Sequence, residues 1–285
     1  MVLDPLIILL AIFTLLTASY SDLKTREVPD WLNYGFLFAV LGVRAIYSLQ
    51  LGWNILLEGL LGFAVFFLLA CLFYYSGQWG GGDSKLLMGM GAVIGVSLPF
   101  SYSSFTIFYF LLALLFLGSI YGLIWLSIMA VRKRKMFVKD FQAKFNSKKN
   151  INLAVIIASV IIILLGLIVD HYILAILFLP GLYFLLIFVN SVEKSCFVRD
   201  CRIENLTEGD WLSEDVYVKD EKVMEKKTLQ KEDLHKLSLL KKNKKIDHVQ
   251  VKDGVPFVPS FLLAYLLIIF GSKFFGMFSK IIFGH

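Results

Sequence analysis

The chain has 285 residues, 58% of them apolar and 18% charged, with a mean hydropathy of +0.74 and a formal net charge of +6. A soluble domain of this length needs far more polar surface to cover itself, so a soluble globular enzyme is excluded. The one sizeable polar segment, residues 191–255, balances 14 acidic against 14 basic residues, which argues against a nucleic-acid-binding protein.

Runs of about 20 apolar residues are long enough to cross the hydrocarbon of a bilayer as helices. In chain order these predict spans over 4–20, 31–49, 54–75, 84–100, 105–131, 151–169, 172–190 and 256–282. The fold class is therefore an all-α polytopic membrane protein with about eight transmembrane helices, six being the alternative count. Asp4 precedes the first run and its basic flank, Lys24 and Arg26, follows it, an order that reads as a spanning helix rather than a cleavable signal. The fifth run is long, hence tilted or continuing past the membrane. Asp170-His171 leave almost no linker between the sixth and seventh spans, which predicts a tight hairpin, and Pro180-Gly181 predicts a kink in the seventh. Within 191–255, Val216-Tyr217-Val218 and His248-Val249-Gln250-Val251 alternate as strands. Leu229, Leu234, Leu237 and Leu240 repeat at helical spacing in a short helix over Thr228–Leu240.

The predicted organisation is a membrane region over 1–131, a basic loop over 132–150 that follows anionic lipid headgroups, and a transmembrane hairpin over 151–190. A small cytoplasmic α+β domain over 191–255 and a C-terminal transmembrane helix over 256–285 complete it. Placing the N-terminus outside puts segments 21–30, 76–85, 132–150 and 191–255 inside, and they hold 25 of the 28 Lys and Arg residues, a strong positive-inside bias. Cys71 lies in an apolar run. Cys196 and Cys201 have no His or further Cys pair nearby, so they read as a reduced cytoplasmic pair and no metal site is predicted.

Ionisable residues at membrane depth are costly and become functional candidates. They are Asp22, Arg44, Glu58, Asp83, Lys85, Asp170 and His171. Arg44 and Glu58 flank the second hairpin and could pair. His171 reads as a solvated turn residue. Asp83 stands in Gly80-Gly81-Gly82-Asp83-Ser84-Lys85, where three glycines remove side-chain bulk and permit positive φ. Taken alone, Asp83 could be no more than a cap on the fourth helix. Asp22, which ends the first span, could be no more than a juxtamembrane acid reaching water. The topology joins them: both fall on the same face of the membrane, 61 positions apart. Two carboxylates at one depth can share a proton and titrate as a unit. One can then act as base toward a water while the other polarises a peptide carbonyl, the chemistry of an aspartic protease, which needs no metal or cofactor.

The two motifs together resemble the type IV prepilin peptidase and preflagellin peptidase family of GxGD membrane aspartyl proteases, and the chain is similar to its archaeal members. Gly80-Gly81-Gly82-Asp83 matches the family's G-x-G-D, and Asp22-x-Lys24 with Pro29-Asp30 downstream resembles its first catalytic segment. Pro256-Phe257-Val258-Pro259, after a small polar domain, resembles the longer archaeal members. The resemblance implies Asp22 and Asp83 as catalytic residues, with Gly80, Gly81, Gly82 and Lys85 as a supporting loop; the Lys85 ammonium could pair with Asp83 or Asp22, or meet lipid phosphates. It implies a pilin- or flagellin-like precursor as substrate, whose basic leader would be attracted by Glu27 and Asp30. Its active site would lie at the cytoplasmic face of the cell membrane. No cofactor, small molecule or nucleic acid is expected as partner, beyond the substrate and membrane lipids. The cysteine cluster that accompanies N-methylation in bacterial members is lacking, so no methyltransferase activity is expected. Two other readings stand beside this one: a proton- or cation-coupled transporter using the same acids, and a scaffold presenting residues 191–255 to a partner.

Overall fold

Leu-, Ile- and Phe-rich stretches leave the backbone no partner in a bilayer but itself, so they fold as helices. A computed structural model describes residues 5–169, 171–218, 221–243 and 246–283. Its helices are α1 (Pro5–Thr25), α2 (Asp30–Leu51), α3 (Asn54–Tyr75), α4 (Gly81–Ile94), α5 (Thr106–Arg132), α6 (Arg134–Ser147), α7 (Lys149–Ile168), α8 (Phe178–Cys196), α9 (Lys231–Lys242) and α10 (Val258–Phe283). Five strands, β1 (Val198–Arg202), β2 (Trp211–Leu212), β3 (Val216–Val218), β4 (Glu221–Met224) and β5 (His248–Lys252), fall between α8 and α10. Among the described residues, six helices are long and apolar enough to cross a membrane: α1, α2, α3, α5, α7 and the segment Leu174–Cys196 that contains α8.

Two compact units divide the chain. The first comprises residues 1–122 and 255–285. Its centre is α4, whose Leu86, Leu87, Met90 and Val93 are fully buried, with α3, α2 and α1 packed around it. The fourth span, predicted over 84–100, is shorter and starts earlier. The helix has 14 residues and ends at Ile94, because Gly95 turns into the left-handed region at φ 69° and Pro99 bars continuation. At about 21 Å it is shorter than the roughly 30 Å hydrocarbon layer. Composition alone could not reveal this, since the apolar run continues past the break.

The second unit comprises residues 123–254. The predicted basic loop is largely a helix: α6 sets Phe137, Phe141 and Phe145 on one stripe, where Phe137 meets Phe188 and Phe145 meets Phe184 of α8. Asn152 of α7 donates to the Phe145 carbonyl and accepts from the Tyr183 hydroxyl, both at 2.7 Å. The expected kink at Pro180 gives way to a break before it. A 3-10 turn (His171–Leu177) hands over to α8 at Phe178, so Pro180 sits in a first turn, where its missing N–H costs little. Asp170 lies outside the described residues, as does the side chain of His171.

The polar part of this unit is an α+β arrangement. β5 is central to an antiparallel sheet in the order β1-β5-β2, β3 and β4 form a hairpin, and α9 contributes Leu237 to a core with Leu212, Leu229 and Val251. Leu229 is buried but precedes the helix, because Gln230 and Asp233 form a capping box that starts α9 at Lys231. Cys196 and Cys201 are free and buried.

Candidate active site

In α1 the residues Ala11, Leu15, Ala18 and Asp22 recur at helical spacing on the face turned into the bundle, so the acid is carried inward by the same stripe that packs the helix. Asp22 is 6% exposed. Its Oδ2 accepts the Val258 N–H at 2.9 Å, and the Phe257 N–H is a second donor to it. Both amides belong to the start of α10, where helical N–H groups have no intrahelical acceptor and a carboxylate is favoured. Pro256 and Pro259 on either side carry no N–H, so the donors are concentrated on these two residues. The Phe257 ring is fixed between Trp79 (centroids 5.3 Å apart) and Gly118, where an added Cβ would lie 2.6 Å from the ring. Just past Asp22, Arg26 adopts φ 64° and its N–H closes on the Asp22 carbonyl at 2.9 Å, ending α1 with a left-handed non-glycine residue.

Asp83 lies in the first turn of α4. Gly80 is its N-cap in an extended conformation, and the Gly80 N–H bonds back to the Asp83 carboxyl. The three glycines are not used for positive φ, as the sequence suggested. Their value is closeness: a Cβ on Gly82 would stand 3.3 Å from that of Val28, and Asn33 of α2 donates to the Gly82 carbonyl at 3.4 Å. Asp22 is the charged group that acts on Asp83, so the two carboxyls lie within electrostatic reach of each other. Tyr121 of α5 is in turn within reach of Asp22. Ser84 Oγ next to Asp83, Ser19 Oγ three residues before Asp22 and Asn33 Oδ1 of α2 are buried and have no hydrogen-bond partner within the protein.

Lys85 pairs with neither Asp83 nor Asp22. It meets Asp30 at 2.5 Å and lies over the Tyr34 ring at 5.4 Å, tying the start of α4 to the start of α2. Asp30 is therefore already engaged, although its side chain remains 65% exposed. Glu27 is exposed, and its carbonyl takes the Ser21 and Thr25 hydroxyls. The structure thus gathers Asp22, Gly80–Asp83 and the Lys85–Asp30 pair around one end of the bundle. It adds Phe257, Val258, Trp79 and Asn33, which sequence reasoning missed. The Pro256-x-x-Pro259 pattern was the only signal available for the first two, and Asn33 gave none.

Long apolar helices enclosing two neighbouring carboxyls at the end of a bundle define a class, the polytopic membrane proteins with a paired-acid site. Over residues 9–127, a span holding both acids, the chain matches the type IV leader peptidase family. A preflagellin peptidase of Methanococcus maripaludis (strain C6 / ATCC BAA-1332) is 40% identical over 83 residues, 28% of this chain and 35% of the relative. One from Methanococcus voltae is 35% identical over 81 residues, 28% and 34% respectively. The chain thus spans about a third of the length of the curated relatives it matches.

Proposed function

We propose that the protein is an aspartyl endopeptidase of the membrane interface that removes the basic leader from flagellin- or pilin-like precursors. The observation that carries this reading is the convergence of Asp22 and Asp83, from different helices, at the same end of the bundle and within electrostatic reach. A water between them attacks the scissile carbonyl carbon. One carboxylate takes the water's proton, while the protonated partner gives its own to the carbonyl oxygen. Collapse of the tetrahedral intermediate breaks the C–N bond: the proton taken from water passes to the leaving amine, and a hydroxyl of the intermediate returns its proton to the other carboxylate, restoring the pair. The unpaired oxygens of Ser19, Asn33 and Ser84 offer hydrogen bonds to that water and to an extended substrate backbone.

The precursor's hydrophobic helix lies among the protease helices, with its basic leader in the cytoplasm beside Glu27 and Asp30. The positive-inside distribution supports an N-terminus outside and a cytoplasmic active site. The exposure of Arg134, Lys135 and Lys139 on α6 supports a contact of this helix with anionic lipid headgroups. Peptidases, not transporters, are the relatives found. The test uses the purified full chain with a model preflagellin. Wild type releases the leader, and Asp22→Asn and Asp83→Asn each abolish release while remaining folded. Release that survives either substitution overturns the proposal.

A further inference from the structure

Arg44 is a guanidinium about 20 Å along α2 from its first residue, a depth at which a charge is expensive. It is 4% exposed and plays no part in the chemistry above. The sequence makes room for it: a Cβ on Gly59 of α3 would stand 2.3 Å from Arg44 Cδ. Its Nη2 donates to the Val93 carbonyl at 2.8 Å and its Nη1 to the Ile55 carbonyl at 2.9 Å. Val93 lies in the last turn of α4, where carbonyls have no helical donor and the helix dipole favours a cation. Glu58 is the acid that acts on Arg44. Its backbone carbonyl accepts the Val96 N–H at 3.0 Å and its Oε1 the Leu98 N–H at 2.9 Å, so it binds the chain that leaves α4.

The far end of α4 is thus seized by two charged side chains from α2 and α3, while its near end carries Asp83. Midway along α4, at Gly62 and Gly91, backbone rests on backbone, a close approach that by itself leaves sliding along the axis open, while the start of the helix is tied to α2 by the Lys85–Asp30 pair and the Asn33 amide. A charge-assisted hydrogen bond to a helix terminus is directional and resists that sliding. We propose that Arg44 is a positioning residue: by gripping the last turn of α4 it sets how far along its own axis the helix stands, and so where Asp83 meets Asp22. This rests on the aspartyl peptidase reading for its consequence in rate, but not for its consequence in structure.

The test separates the two. In the purified full chain, Arg44→Met should lower kcat by about 10- to 100-fold per folded molecule with KM within about threefold, the signature of a misplaced catalytic group rather than a lost substrate contact. Arg44→Lys keeps the charge and a donor, so it should recover part of the rate, and it serves if the Met variant does not fold. Amide hydrogen exchange should quicken in both variants at Gly81–Lys85, beside Asp83, as well as at Gly91–Leu98. A rate per folded molecule equal to wild type, or faster exchange confined to 91–98, overturns the proposal. Wild type that cleaves no leader would defeat the functional reading, and exchange at 81–85 would still decide the positioning role.

Discussion

Gly62 of α3 offers the sharpest quantitative test of how α4 is held. A Cβ built there would stand 2.2 Å from the Gly91 carbonyl oxygen and 2.6 Å from Gly95 Cα, both backbone atoms that cannot rotate away. Ordinary contact needs roughly 3.5 Å, so Gly62→Ala must part α3 and α4 by about 1 Å or more. Overpacking of this kind costs about 1–3 kcal/mol, and a shift of about 1 Å in a catalytic group can cost on the order of 100-fold in rate. Since α4 carries Asp83, both effects are expected together. Gly42→Ala in α2 is the matched control. Nothing lies within 4 Å of its Cβ, and the substitution should be neutral or stabilise by about 0.5–1 kcal/mol through helix propensity. Thermal unfolding and leader release, measured on the same preparations, decide the matter. Gly62→Ala with the melting temperature and rate of the control would refute the reasoning that backbone contact fixes the α3–α4 spacing.

Two further outcomes are expected. Substituting both Glu27 and Asp30 by Lys should weaken processing of a basic-leader substrate more than of a neutralised one, measured as kcat/KM. Equal losses would remove these acids from leader recognition. In the polar domain, burial pushes the Asp233 carboxyl up, but the Lys227 ammonium and the Gln230 N–H outweigh it and hold it below the usual carboxylate range. A depressed carboxyl stabilises the fold above the unfolded value of about 4 and loses that contribution as pH falls through the lower folded value. Asp233→Asn should therefore loosen α9 by about 1 kcal/mol at neutral pH, read as faster exchange of its amides in the full chain, with the difference from wild type closing in acid below the folded value.

The long helices were legible because twenty apolar residues in a row have few other fates, and α1, α2, α3, α5 and α7 lie where those runs lie. Both acids were legible because charge is rare in such runs and the glycines beside Asp83 mark it. What composition could not carry was the length of α4, since Val96 and Leu98 are as apolar as the helix they follow. Their amides are satisfied by Glu58, a contact across some forty positions. The helix of α6 was in the pattern, its phenylalanines spaced by four, but the density of Lys and Arg drew the reading to a loop. The sequence offers Asp83 and Asp22 as partners of Lys85, whereas the start of α2 brings Asp30, 55 positions away, within its reach.

The partners of Asp22 were least legible of all, for the Val258 N–H is 236 positions distant and a backbone amide leaves no mark in a sequence. It also lies outside the matched span of 9–127, so the candidate site extends beyond the region similar to that family. If that hydrogen bond orients the acid, its loss should be felt in rate. Val258→Pro deletes the N–H at the first position of α10, where proline is compatible with a helix start, and Val258→Ala keeps the N–H while removing packing. A hydrogen bond to a charged group is worth about 1.5–3 kcal/mol, so the proline variant should release leader about 10- to 100-fold more slowly than the alanine variant. The comparison between the two cancels what the lost valine side chain costs in stability. Equal rates would mean that Asp22 is held by the packing of α1 alone, and that the start of α10 closes the bundle without serving the acid beside it.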